Sequence, residues 1–483
     1  MINPKLKELA NQIDEKSGKD ERKRFAEFLA SPYFNKSTKT ARFCLYLVKS
    51  ASAGKLDDIS DNYLSKFVFG GEAVNKKKFG TLCTVARRLF EEYLTLTEYE
   101  RESHYQKSLL LRSLKSKGAS KNFNSIARQI EIGMRKENYH DQDYFARRML
   151  FQKTVLEKEG MDFEKDLSRE YFKLSEYVDK HFAISKLELI NSYLSRKYHV
   201  LGKEKADLNL LQEVIKYVED NREYFRKNEV ALFSEYLIQK MMTAEDNEKY
   251  FHELFEYVSS NHRKFTQQGL ELVYYPLINY GSNRAAMGDS IFLNYVFRIY
   301  QSFEKNGYYS RLEAFQDLDF ISIIIISLNV GKTAWAEKFH RKYSSRLNAE
   351  SRADTENLSL GLTEFNKKNY ELSIIHIEKV NYINSYYYLK SKETLIKIYY
   401  ETNDMLALVP LLDSTRHYLN RRKNLLSIHY KRYMDFLKCV GFLLRIRQRD
   451  ADNAYKIRNE LKSNKNIISH EWLLEKLYET SEK

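Results

Sequence analysis

The chain has 483 residues, 43% hydrophobic, 14% aromatic and 30% charged, with 80 Lys and Arg against 66 Asp and Glu for a formal charge of +14. Single cores stop growing at about 250–300 residues, so this length excludes one compact core and calls for several domains or an extended stack of repeats. The apolar content excludes a disordered chain, and three scattered cysteines (Cys44, Cys83, Cys439) exclude a disulfide framework or a paired-cysteine metal knuckle.

Few cysteines fit a reducing compartment, and a cytoplasmic location is expected. Residues 1–25 mix acids and bases without the apolar stretch of a secretory signal. The longest purely apolar run, Ile323–Ile326, widens only to Ile321–Leu328 if two serines are admitted. A membrane span needs about 20 apolar residues. Four prolines and sixteen glycines, with no proline between Pro32 and Pro276, leave few helix stops. Apolar residues recur at three- and four-residue intervals, which predicts about twenty helices in an all-α chain. The 37 tyrosines accompany an abundance of Lys, Asn and Ile that a genome's base composition can produce, so their number is not itself a functional signal.

In chain order, residues 1–101 form an N-terminal helical region. A helix over 20–30 presents Phe25, Phe28 and Leu29 on one face and stops at Ser31-Pro32. Tyr33-Phe34-Asn35 reads as an aromatic turn whose two rings plug the first helix pair. Asn35 or Ser37 is placed to cap a second helix reaching about Ser50. Gly70-Gly71 breaks the chain before a long helix over 75–100, striped by Leu82, Val85, Leu89, Tyr93 and Leu96.

Residues 102–305 continue as helix pairs. Short polar loops are expected at 117–121, 158–162, 202–206, 243–247 and 281–284, and Leu187, Ile190, Leu194 and Tyr198 make one apolar stripe. Residues 306–483 carry the clearest periodicity. Leu360-Gly361 on one helix is followed nine residues later by Tyr370, then by the small residue Ser373 and the apolar Ile377 and Val380. The pattern recurs 35 residues on, with Leu395, Tyr399 and Tyr400, a turn at Asn403-Asp404, then Leu408 and Leu412. It also occurs 37 residues earlier, with a turn at Gly331 and a small residue at Ala336. A final stripe comprises Leu426, Tyr433, Leu437, Val440 and Leu444.

These residues resemble the tetratricopeptide repeat, whose period is 34 residues. The family's first-helix Trp and closing Pro are missing, Val380 stands where Ala is usual, and Leu408 replaces the second small residue. The resemblance implies an antiparallel helix-pair α-solenoid, a right-handed superhelix, preceded by the N-terminal helical cap region. The box at 31–35 is also similar to that of uncharacterised bacterial helical proteins, which implies no activity.

Motifs for chemistry are thin. Gly331-Lys332-Thr333 imitates the end of a phosphate-binding loop, but Ile326 occupies the position of the required earlier glycine, so a turn is expected. His470-Glu471 lacks a second histidine at ligand spacing. No G-x-S-x-G elbow occurs, and most carboxylates neighbour lysines on polar faces. The expectation is a non-enzyme with no cofactor, no bound metal and no small-molecule substrate.

Two surfaces are candidates for binding. Between 416 and 449, ten bases (Arg416, Arg421, Arg422, Lys423, Lys431, Arg432, Lys438, Arg445, Arg447, Arg449) face one acid, Asp435, and Lys76–Lys78 with Arg87 and Arg88 form a second, smaller acid-free cluster. Flanked by Tyr418, Tyr430 and Tyr433, the larger segment suits phosphates and bases, an acidic protein, or simply water. In tetratricopeptide arrays the first helices line a concave groove, and here that face implies Lys390, Glu393, Lys397 and Tyr400, joined by Leu358, Leu362 and Phe365. Such a surface suits an acidic, partly apolar segment; alternatively Leu358 and Leu362 pack within the array. The expected role is a non-catalytic scaffold or adaptor for a protein partner. The alternative is non-specific nucleic-acid binding through 416–449.

Overall fold

In a computed structural model, the described residues are 4–15, 18–57, 76–160, 164–199, 209–381, 385–423, 427–447 and 451–481. Among them are twenty-four α-helices and no strand, only an isolated bridge between Phe315 and Leu347. None of these helices is long and apolar enough to cross a membrane. The chain divides into two compact units, one of residues 1–137 and 143–179, the other of 138–142 and 180–483. That division falls at neither 101/102 nor 305/306.

In the first unit the helices Gly18–Ala30, Thr38–Ser52 and Lys76–Arg101 close over an aromatic core. Phe25 stacks on Phe90 at 4.8 Å and meets Tyr93 edge-on at 4.9 Å. Leu82, Leu89 and Tyr93 of the expected stripe are buried here, with Val85 and Leu96 at the margin. The turn after Ala30 is braced by Asn35, whose side-chain amide donates to the Leu29 and Ser37 carbonyls at 3.0 Å. Ser37 is the helix cap, its Oγ accepting from the Thr40 amide at 3.2 Å. Only half of the aromatic turn plugs the pair: Phe34 stacks on Phe28 at 4.5 Å, whereas Tyr33 is 86% exposed. One ring already fills the space over Phe28, so its neighbour turns to solvent. Gly70 and Gly71 lie outside the described residues.

In the second unit, the main contacts run from each helix to the next and the next but one. The 37- and 35-residue spacing has a backbone counterpart. Gly331, Lys368 and Asn403 take left-handed φ values of 69°, 64° and 58°, and each follows the first helix of a successive pair: Asp317–Asn329 with Thr333–Tyr343, Arg352–Asn366 with Tyr370–Ile377, Ser385–Glu401 with Met405–Arg421. A left-handed residue past a helix end lets its last carbonyls be satisfied while the chain reverses. Gly361 marks a close approach, since a Cβ there would stand 2.6 Å from the Ile377 side chain. The Ser373 hydroxyl donates to the Gly361 carbonyl at 2.7 Å, which fixes the crossing.

Turns separate helices at 117–119 and 244–246 as expected, and 202–206 lies outside the described residues. The loop expected at 281–284 is absent: these residues continue the helix Gln267–Ala286. Gly281 is there for packing, because a Cβ would come within 2.7 Å of a Val296 methyl.

Candidate binding clefts

The last helices fold back onto earlier helices of the second unit. The Trp472 indole donates to Glu401 Oε1 at 2.6 Å and sets its ring edge-on to Tyr400 at 5.4 Å. Arg432 Nε donates to the Asn466 carbonyl at 3.1 Å, and the Ser469 hydroxyl donates to Glu393 Oε1 at 2.6 Å. The fold-back encloses a cleft of about 710 Å³, among whose walls are Phe365, Lys390, Glu393, Lys397, Arg432 and Trp472.

Its electrostatics centre on Glu393, a residue only 2% exposed. Lys390 reaches both carboxylate oxygens at 3.1 Å and Lys397 reaches Oε1 at 2.8 Å. Burial alone would push this carboxyl upward; the two ammonium groups and the hydrogen bonds from Lys397 and Ser469 outweigh it and hold the group well below the usual carboxylate range. Burial depresses the Lys397 ammonium in spite of its ion pair. Lys397 also lies 5.8 Å from the ring centroids of both Phe365 and Trp472.

One carboxylate thus faces two ammonium groups. Arg432 adds a third cation, which burial pushes down. Its guanidinium bonds a backbone carbonyl and forms no ion pair among the described residues. Glu471, Glu475 and Lys465 also line the cleft, and Glu475 is engaged by Lys476 at 2.9 Å. An anionic group entering here meets partly desolvated cations that the protein's own acids do not fully neutralise.

The seven residues of the expected groove separate into two sets. Phe365, Lys390, Glu393 and Lys397 line the cleft. Leu358, Leu362 and Tyr400 do not; they are buried at 0%, 5% and 0% exposure and belong to the packing between helices. Glu393 serves as the internal counter-ion of the two lysines, shielded from direct contact.

The basic segment also divides. Arg416 pairs with Asp413 at 2.8 Å and Lys438 with Glu460 at 2.6 Å, and Arg432 turns into the cleft. Arg421, Arg422, Lys423, Lys431 and Arg445 are exposed, with Arg422 over Tyr418 at 5.0 Å and Lys423 over Tyr430 at 5.5 Å. Arg449 lies outside the described residues, as does the side chain of Arg447. In the smaller cluster, Arg87 and Arg88 pair with Glu91 and Glu92 one turn on.

Sequence reasoning missed Trp472 and Ser469, because nothing local announces that the last helix returns to a helix some seventy residues earlier. It also missed a second cleft of about 570 Å³ walled by Tyr275, Tyr300, Phe303, Tyr308 and Tyr309 with Asp319. Tyr386 and Ile325 line both clefts. Among the described residues, no group of three or more His, Cys, Asp and Glu side chains is arranged to hold a metal ion. Comparison of the chain with protein-family models, characterised proteins and solved structures gives no match.

Proposed function

We propose that the protein is a non-catalytic cytoplasmic adaptor whose second unit is a tetratricopeptide-like stack of antiparallel helix pairs. An acidic, partly apolar segment of a partner protein docks in the Lys390–Lys397–Arg432 cleft. The observation that carries this reading is the unbalanced positive charge of a cleft that also presents Phe365 and Trp472. A carboxylate side chain finds Arg432 and the lysines, and an adjoining apolar residue finds the two rings. The repeated left-handed turns and the close approach at Gly361 support the repeat reading.

The chain has two tryptophans, Trp335 and Trp472, so a Trp335→Phe variant leaves a single reporter in the cleft. Titrating it with peptides that alternate Glu and Leu is expected to change Trp472 fluorescence saturably. Arg432→Gln is expected to weaken binding about tenfold or more, the worth of one charge-assisted hydrogen bond. Equal binding by Arg432→Gln and by Lys397→Gln, with circular dichroism unchanged, would count against the reading.

Non-specific nucleic-acid binding is the second reading, supported by the exposed Arg421–Lys423 run with its neighbouring tyrosines. With about five exposed bases available, log K should fall against log salt with a slope no steeper than about −4.5. A gel shift that persists unchanged in Arg421→Ala/Arg422→Ala/Lys423→Ala would remove this segment from consideration.

A further inference from the structure

The tyrosine-walled cleft differs from its neighbour in charge. In a chain with 80 bases, no Lys, Arg or His lines it, and Asp319 is its one charged lining residue. The walls are ring faces and edges: Phe303 stacks on Tyr308 at 4.6 Å and meets Tyr309 edge-on at 6.0 Å, while Tyr275 stands at 6.5 Å. The Tyr275 and Tyr308 hydroxyls approach to 3.4 Å, which ties the rim residue Tyr275 to a buried wall.

Asp319 sits in the first turn of the helix Asp317–Asn329, accessible at the mouth of the cleft. A helix N-terminus favours a carboxylate there, which accounts for an acid at this position but leaves it without a cation. Among the described residues Asp319 has no ion pair. Although the side chain reaches solvent, the surrounding protein partly desolvates the carboxyl, and this, reinforced by the charge on Asp317, pushes it up. Asp319 lines the same cleft as the rings of Tyr275, Tyr300 and Tyr308. Deeper in the wall, the Tyr309 hydroxyl is buried without a hydrogen-bond partner.

We propose that this cleft is a receptor for an alkylated ammonium group, held against the faces of Tyr275, Tyr300, Phe303 and Tyr308 and neutralised by Asp319. Ring quadrupoles attract a cation whose alkyl shell sheds water easily, and the single unpaired carboxylate supplies the sign. A metal ion suits the cleft less well, since Asp319 is its one carboxylate and the remaining walls are phenols, apolar carbon and the neutral side chains Asn279, Ser282, Asn283, Gln316 and Ser322. The group is a quaternary ammonium, borne by a free small molecule or by a trimethylated lysine of a peptide. The site adjoins the anion-accepting cleft through Tyr386 and Ile325, but none of the residues proposed to hold one ligand is proposed to hold the other, so either reading can fail without the other.

The test uses the full chain and compares choline with its neutral isostere 3,3-dimethylbutan-1-ol by calorimetry. Choline is expected to bind at least about fivefold more tightly than the isostere, the range of one partly desolvated cation–π contact. Asp319→Asn, an exposed and conservative change, is expected to remove most of that preference, and Tyr308→Leu to weaken choline binding again by about fivefold. Competition with a trimethyllysine peptide identifies a protein-borne source, and choline binding that such a peptide leaves untouched identifies a free quaternary ammonium compound. Equal affinity for choline and isostere in the unaltered protein, or choline binding that Asp319→Asn leaves intact, overturns the proposal whether or not Tyr308→Leu folds.

Discussion

His140 Nδ1 lies 2.7 Å from Glu229 Oε2, and the other oxygen of the same carboxylate accepts from Lys180 at 2.7 Å. Both Lys180 and Glu229 are buried side chains, at 4% and 5% exposure. Burial alone would raise the Glu229 carboxyl, but the hydrogen bond from His140 and the charge and hydrogen bond of Lys180 hold it below its usual value. The Tyr224 hydroxyl also accepts from Lys180 at 2.7 Å. The cluster therefore pins residue 140, in the short 138–142 segment of the second unit, to the start of the helix Val230–Thr243.

Removing the charge from Glu229 is expected to be costly. Glu229→Gln leaves the Lys180 ammonium buried beside a phenol, and breaking a buried pair on one side costs about 3–5 kcal/mol. Urea denaturation should show that loss, and Glu229→Gln/Lys180→Met should recover part of it. The pH dependence has a definite sign. A depressed carboxylate contributes stability that is complete above its ordinary value of 4.5 and is lost as pH falls through its lower native value. The difference in stability between the parent and Glu229→Gln should thus narrow on acidification below about pH 4.5, with the parent losing more. A gap that stays constant from pH 7 to pH 3 would contradict the assignment.

Gly281→Ala sets two effects against each other. Replacing a glycine in a helix interior gains about 0.5–1 kcal/mol. Here the new methyl would stand 2.7 Å from a Val296 methyl that is itself fully buried, and a β-branched side chain has little freedom to move aside. Overpacking costs about 1–3 kcal/mol, so the substitution should lower the thermal midpoint. Gly281→Ala/Val296→Ala relieves the clash, although it also removes buried apolar surface. Coupling between the two changes in a double-mutant cycle is the expected signature.

The same glycine shows where the sequence was and was not legible. A glycine followed by Ser-Asn-Arg reads as a loop, and only the approach of Val296 from the next helix shows that it is a contact position. Gly331 and Asn403 were readable as turns, since a left-handed φ leaves a compositional mark. Leu358, Leu362 and Tyr400 lie on the helices that were expected to form a groove, but apolar spacing does not say which neighbour covers a stripe, and here the packed helices around them do. Lys390, Lys397 and Arg432 were singled out on separate grounds, and their meeting in one cleft depends on a long-range return of the chain through Trp472. The tyrosine cleft was obscured for another reason: in a chain with 37 tyrosines, none stands out until several share one cavity.

Glu393→Gln separates stability from binding. It removes the counter-ion of Lys390 and Lys397, whose side chains keep 18% and 12% exposure. Because both lysines retain some contact with water, the loss should fall near or below the low end of the buried-pair range, about 3 kcal/mol. The cleft would at the same time gain one net positive charge, so an acidic peptide should bind more tightly to Glu393→Gln than to the parent, by about threefold or more at low salt. Denaturant titration and Trp472 fluorescence read the two effects independently. A variant that is less stable and also binds the peptide more weakly would show that Glu393 positions the lysines and that its charge does not oppose the ligand.

The thiols should report local burial in each unit. Cys44 and Cys439 are fully buried, and burial, the largest influence on each, pushes both up to about 12. Cys83, on the long helix Lys76–Arg101, is half-buried and is raised by burial as well. Only the thiolate attacks a disulfide reagent. At pH 8 a thiol of pKa about 12 is ionised to roughly one part in ten thousand, and a buried one is shielded besides. A disulfide reagent such as Ellman's should therefore consume one thiol per native chain in its first phase, with the other two reacting only as the helices around them open. Cys83→Ser should remove that first phase and leave the slow ones unchanged. If Cys44 reacts as readily as Cys83, the aromatic core around Phe43 and Phe90 opens far more often than its packing implies.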